Sequence, residues 1–205
     1  VSLFYQRLWY QKMIKILDNI LTKEEQEDFK NTLHGAKFNW FYIPDVTKLD
    51  NNQQQRPCLT HLYMNNGHIN SVWYDYVKKI SDNVNKKLKK KLRPVQVRSF
   101  LQLSLNKKFL GKEKIDTPHI DLTIPHTVYL YYVNDCDGDT ILYNYKSKNG
   151  VEDIPYFEDV KIKKRITPKQ GRVVVFDGMT WHSSTQPTKG TRTIINFDMV
   201  WDLTI

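Results

Sequence analysis

The sequence predicts an α+β, mainly β fold in which short antiparallel strands form a sandwich or jelly roll and N-terminal helices pack on one sheet. Three observations predict it. Beyond Pro94 nearly every segment is a short run of β-branched and aromatic residues closed by turn residues. Two clear helical patterns both come before that point. The 205 residues, 40% hydrophobic and 13% aromatic, have the composition of one globular domain with a core of its own. The chain is read as a single domain over 1–205, with a helical cap and loop region at 1–93 and a jelly-roll core at 94–205.

Leu3 to Ile20 carries a mixed apolar pattern, read as a short helix leading into a strand. Thr22 stands three residues before Glu25, a capping box that predicts a helix from about Lys23 to Leu33, ended by Gly35. Phe38 to Ile43 reads as a strand. Residues 45–70, polar and centred on Asn51 to Gln55, read as a long loop and candidate lid, in which His61, Tyr63 and His68 either face a substrate or are simply exposed.

A second helix is predicted from Ser71 to Lys91, because Val72, Tyr76, Ile80, Val84 and Leu88 recur four apart, and Pro94 separates it from the next segment. Trp73, Tyr74 and Tyr76 are read as packing aromatics. The alternation from Val95 to Leu105 predicts a long strand. Later strands are placed at Thr127–Val133, Thr140–Tyr145, Val160–Thr167, Arg172–Phe176 and Thr191–Val200, between turns such as Asn134 to Gly138 and Lys189-Gly190.

The formal charge of +9, from 31 basic and 22 acidic residues, favours an anionic partner. Much of the excess is Lys86 to Arg93, a pattern that usually marks a solvated helix face. Only Cys58 and Cys136 are present, as expected of reduced thiols in a cytoplasmic protein. No run is long and apolar enough for a membrane span, and no secretory signal is read, so no membrane partner is expected.

The chemistry concentrates between Thr117 and Arg192. In extended chain, residues i and i+2 share a side, so His119 and Asp121 can hold one metal, with His182 arriving from a later strand. Two imidazoles and a carboxylate, with no thiolate, suit ferrous iron with open positions. Arg192, ten residues after His182, can hold a carboxylate through two parallel hydrogen bonds. His126, beside Pro125, is read as a loop residue. Asp135, Asp137 and Asp139 begin like a calcium loop, but Thr140 and Lys146 stand where glycine and glutamate are required, so calcium is rejected.

This order of His119-Ile120-Asp121, distal His182 and Arg192 resembles the Fe(II)/2-oxoglutarate-dependent dioxygenases. Val128 to Asn134, Gly138 to Thr140 and Arg172 to Asp177 narrow the resemblance to the prolyl 4-hydroxylase-like branch, over roughly Val95 to Trp201. It implies a double-stranded β-helix with Fe(II) held by His119, Asp121 and His182. It also implies 2-oxoglutarate as cosubstrate, its distal carboxylate on Arg192 and Tyr132, with ascorbate as a possible aid in keeping the iron ferrous. Val128 and Leu130 would line the cosubstrate pocket, together with Thr140, Ile141 and Asn196. The family tyrosine on the strand before His119 is missing, and Leu103-Ser104-Leu105-Asn106 stands there instead. The implied reaction hydroxylates a peptide or protein side chain, proline among the candidates, and releases succinate and carbon dioxide. A small-molecule substrate, a nucleic-acid oxidative demethylase and a catalytically silent jelly-roll binding module are the alternatives, and oligomeric state is left open.

Overall fold

The computed structural model describes residues 14–44, 56–105, 115–147 and 160–202. The expected helix before Ile14 and residues 45–55 of the candidate lid lie outside the described residues. In order, the elements are β1 (Ile14–Leu17), α1 (Lys23–Leu33), β2 (Phe41–Ile43), β3 (Cys58–Asn65), β4 (His68–Ile69), α2 (Tyr74–Leu88) and β5 (Leu92–Leu103). They continue as β6 (Thr127–Tyr132), β7 (Thr140–Lys146), β8 (Ile162–Ile166), β9 (Val173–Asp177), β10 (Thr180–Ser184) and β11 (Thr191–Trp201).

Both helices start and stop for local reasons. At α1 the Thr22 hydroxyl accepts from Glu25 N–H at 3.2 Å, and the Glu25 carboxylate accepts from Thr22 N–H at 2.8 Å, completing the capping box. Helix α2 is shorter than Ser71 to Lys91. Val72 is 94% exposed and precedes it, and the buried stripe is Tyr74, Val77, Ile80, Ser81 and Val84. It ends at Lys89, left-handed at φ 53, where the Lys90 N–H returns to Asn85 O at 2.9 Å. Pro94 therefore does not end the helix. It lies inside β5, beside an irregularity in the β5–β11 ladder.

The strands form two sheets. The larger has eight strands in the order β1-β9-β6-β11-β5-β3-β2 with β4 on β3, and the smaller is β10-β7-β8. Every strand pairing is antiparallel. Alternation then sorts side chains between two cores. Tyr129, Tyr131, Val173, Val175, Ile195, Phe197 and Met199 meet Phe29, Leu33, Val77, Ile80 and Val84 of the helices. Val128, Leu130, Tyr132, Val174, Phe176 and Ile194 face inward and meet Leu142 and Ile166 of the small sheet. A strand with a core on each side buries every residue, which is why Thr127–Tyr132 is buried throughout.

Two expectations are corrected. The loop assigned to 45–70 contains β3, which lies in the large sheet between β5 and β2, and β4. The overlooked signal is Asn66-Gly67, whose φ values of 49 and 79 make the tight turn that joins these strands. His61 and Tyr63 are accordingly not exposed loop residues. His61 is buried between Asn39 O at 2.6 Å and Ser71 Oγ at 2.8 Å, and Tyr63 belongs to the helix-side core. Strand β10 is likewise absent from the expected strands, which end this stretch at Phe176 and give His182 a later strand without bounds; only Gly178 and Met179 separate β9 from β10.

Candidate metal centre

The two histidines are fixed by backbone pairing. His119 and His182 form an isolated antiparallel bridge, each N–H donating to the other's carbonyl, at 2.9 and 3.0 Å. Asp121 follows two residues on. One ligand atom from each of His119, Asp121 and His182 lies within 4.8 Å of the others. His182 Nε2 is 3.2 Å from Asp121 Oδ2, and His119 Nε2 is 3.9 Å from Oδ1. Each Nδ1 sits 3.1 Å from a backbone carbonyl two residues earlier, Thr117 O and Thr180 O. A carbonyl only accepts, so Nδ1 carries the hydrogen and the Nε2 lone pairs face Asp121.

The protonation states suit a cation. Desolvation of the inner edge of the His119 ring, reinforced by His182, holds its pKa below the ordinary imidazole value. Burial works against ionisation of Asp121, but His182 and Arg98 outweigh it, and its carboxyl sits well below the usual range. Two imidazoles and one carboxylate converge, which is the donor set of a divalent transition metal.

Behind the triad is a layer that sequence reasoning missed. Arg98 Nη2 donates to Asp121 Oδ1 at 2.7 Å, and its cross-strand partner Asn196 donates through Nδ2 to Oδ2 at 3.2 Å. Asn196, expected in the cosubstrate pocket, thus sits beside Asp121, and it also donates to Asp198 Oδ1 at 3.3 Å. Asp198 is fully buried, 3.6 Å from Arg98 Nη2 and 3.6 Å from His126 Nε2. Burial, and then the Asp121 charge, push its carboxyl well above the usual range. His126 is not an ordinary loop residue: it is completely buried beneath the site. The available signal was the alternation of β5, where Arg98 and Gln102 share the parity of Phe100, which packs on the inner core.

Arg192 lies two and four positions from Ile194 and Asn196 on the same inner face, and it is only 3% exposed. It donates through Nε to Gly138 O at 2.9 Å, through Nη1 to Gln102 Oε1 at 3.0 Å and through Nη2 to Thr140 Oγ1 at 2.8 Å. Tyr132 OH donates to the same Thr140 oxygen at 2.7 Å. Arg192, Tyr132 and Thr140 are therefore brought together, with Leu130 on the adjacent inner face of β6. Ile141 is not among them; it packs with Ile120, Tyr143 and Trp181 on the other side of the small sheet. Among the described residues, Arg192 has no carboxylate partner. Gln102 passes its own donors to Asp116 Oδ2 and Ser184 Oγ, both at 3.1 Å, and Asp116 is neutralised by Arg56 at 2.5 Å.

The acidic turn at Asp135 to Asp139 is structural. Asp135 accepts from Gln170 N–H at 2.7 Å, Asp137 from Thr188 N–H at 2.9 Å and Asp139 from Thr167 Oγ1 at 2.8 Å. Each carboxylate anchors a neighbouring turn.

No family model and no curated protein matches the chain in sequence. Solved structures do match in fold. The viral collagen prolyl hydroxylase of Paramecium bursaria chlorella virus 1, solved with 2-oxoglutarate, aligns at TM-score 0.54 and 14% identity, over 94% of this chain and 98% of that one. A prolyl hydroxylase from Trichoplax adhaerens, in complex with a hypoxia-inducible-factor peptide, aligns at TM-score 0.57 and 13% identity, over 94% and 86%. An oxidoreductase of the 2-oxoglutarate–Fe(II) oxygenase family from Burkholderia pseudomallei aligns at TM-score 0.64 and 9% identity, over 96% and 89%. With two antiparallel sheets enclosing the His119, Asp121 and His182 cluster, the chain has the jelly-roll fold of the 2-oxoglutarate–Fe(II) oxygenases, prolyl hydroxylases among them.

Proposed function

We propose that the chain is an Fe(II)- and 2-oxoglutarate-dependent dioxygenase that hydroxylates a peptide or protein side chain, with proline among the candidates. One observation carries this reading. The interior that holds the His119, Asp121 and His182 cluster also holds a buried guanidinium with no carboxylate partner among the described residues. A buried cation is costly unless an anion pairs with it, and a dicarboxylate spanning metal and arginine supplies that anion. The fold supports the same reading.

The residues divide the work. His119, Asp121 and His182 would hold the iron, and Arg98 and Asn196 hold the Asp121 carboxylate in place for it. Arg192 would take the distal carboxylate of 2-oxoglutarate, and Gly138 O, Gln102 and Thr140 fix the plane of its guanidinium. Tyr132 shares Thr140 with Arg192 and closes that end of the pocket. Leu130, Ile194 and Phe176 exclude water between the two ends. When bound, the iron supplies the chemistry of oxygen activation, coupled to oxidative decarboxylation of the cosubstrate to succinate and carbon dioxide.

The test is anaerobic titration of Fe(II) and 2-oxoglutarate into the protein. A metal-to-ligand absorption band is expected, followed by succinate formation when oxygen is admitted with a substrate. Both should vanish in His119→Ala and Asp121→Ala. If 2-oxoglutarate neither binds nor gives the band in the intact chain, the proposal is wrong.

A further inference from the structure

A cleft of about 340 Å³ has Asn66, Arg93, Gln96, Leu122, Thr123 and Ile124 in its wall. It adjoins the metal centre, because Leu122 is the residue after Asp121 and Gln96 is the cross-strand partner of Asp198. Its chemistry is one-sided. Among the described residues the polar groups in the wall are a guanidinium, two amides and a hydroxyl, with no carboxylate. Arg93 is exposed, and among the described residues it has no carboxylate partner. Gln96 donates through Nε2 to Asn65 Oδ1 at 3.2 Å, which fixes its amide in the wall. Ile124, 50% exposed, and Leu122 supply apolar wall.

We infer that this cleft is the substrate subsite of the oxygenase proposed above, and that it takes an acidic peptide. Arg93 pairs with a side-chain carboxylate of that peptide, and Leu122 and Ile124 flank an apolar side chain. The inference rests on the oxygenase reading for the chemistry performed, but the binding claim stands on the cleft. A peptide fits better than a nucleic acid, because no aromatic ring lines the cleft for base stacking and one cation replaces the row that would track successive phosphates. The net charge of +9 steers an anionic partner toward the chain.

The probe is a positional-scanning octapeptide library, selected on the protein with and without Mn(II) and 2-oxoglutarate. A single-stranded DNA dodecamer is titrated in parallel. Asp or Glu should be enriched at one position by about fivefold over Lys, the size of effect a partly exposed ion pair gives. Arg93→Gln should abolish the enrichment, and Arg93→Glu should reverse it toward Lys and Arg. Arg93 is exposed, so both variants are expected to fold, and matched Tm values check this. No acidic enrichment, enrichment unchanged in Arg93→Glu, or DNA bound more tightly than any peptide through Arg93 would each overturn the inference. Metal and 2-oxoglutarate titrations on the same preparations read the oxygenase proposal separately. Normal titrations without acidic selection sink the subsite alone.

Discussion

At the scale of residues, the site is a set of short polar contacts among mostly buried groups, where a displaced group loses partners that nothing nearby replaces. Gly138 shows this most directly. A Cβ there would come within 2.8 Å of Arg192 Cδ and 2.9 Å of Thr185 O, and the second neighbour is backbone that cannot swing aside. Gly138→Ala should therefore weaken 2-oxoglutarate binding by about tenfold or more while sparing the metal, as displacements of about 1 Å do in preorganised sites. Isothermal titration of each ligand checks it, and equal loss of both would show a general folding defect instead. Asn196→Ala should do the reverse. Asp121 loses one of its two positioning donors, and outer-shell changes of this kind typically cost about 10–100-fold in metal affinity. An unchanged Mn(II) dissociation constant would remove Asn196 from the metal centre.

At the scale of elements, the helices are a platform rather than part of the site, and their ends can be changed without touching the chemistry. Lys89 adopts φ 53 at the end of α2, a conformation in which a side chain costs about 1 kcal/mol and glycine costs none. Lys89→Gly should raise stability by about that amount in urea titration, and a loss would mean the Lys89 side chain has a use its exposure conceals. Thr22→Ala should lower stability by about 1 kcal/mol by breaking the capping box. Strand β5 is the contrasting case, because it belongs to platform and site together. Its odd positions, such as Val97, pack toward the helices, and its even positions Arg98, Phe100 and Gln102 carry the interior.

At the scale of the whole molecule, ligand binding and folding would be linked, since the proposed metal ligands come from segments brought together only in the folded chain. Metal at about 100 times its dissociation constant should add about 2.7 kcal/mol, or roughly 5–10 °C in Tm for a domain of this size. Scanning calorimetry should show that shift in the intact protein and none in His182→Ala. Without metal, His34 and His126, held below 6.5 chiefly by burial, each cost stability as pH falls through 6.5, because the unfolded chain takes up protons that the native one refuses. Asp198, held above the usual carboxylate range, acts in the opposite direction, losing stability as pH rises toward its native value. Asp198→Asn removes that opposing group, so the variant should lose stability from pH 7 to 5.5 in urea titration, and flat or rising stability there would contradict these burial effects.

The sequence by itself determined what depends on neighbours along the chain. The Thr22 and Glu25 cap, the alternation of β5 and the two-residue spacing of His119 and Asp121 are local, so they were legible. So were His182 and Arg192, because the resemblance covers their order along the chain. Only the tertiary structure decided which face of each strand meets which core. That placed β3 inside the sheet, buried His126, set Arg98 and Asn196 on Asp121, and turned Ile141 away from Tyr132 and Thr140. The physical reason is that a strand fixes only the parity of its side chains, and the sheets packed on either side fix what each parity means.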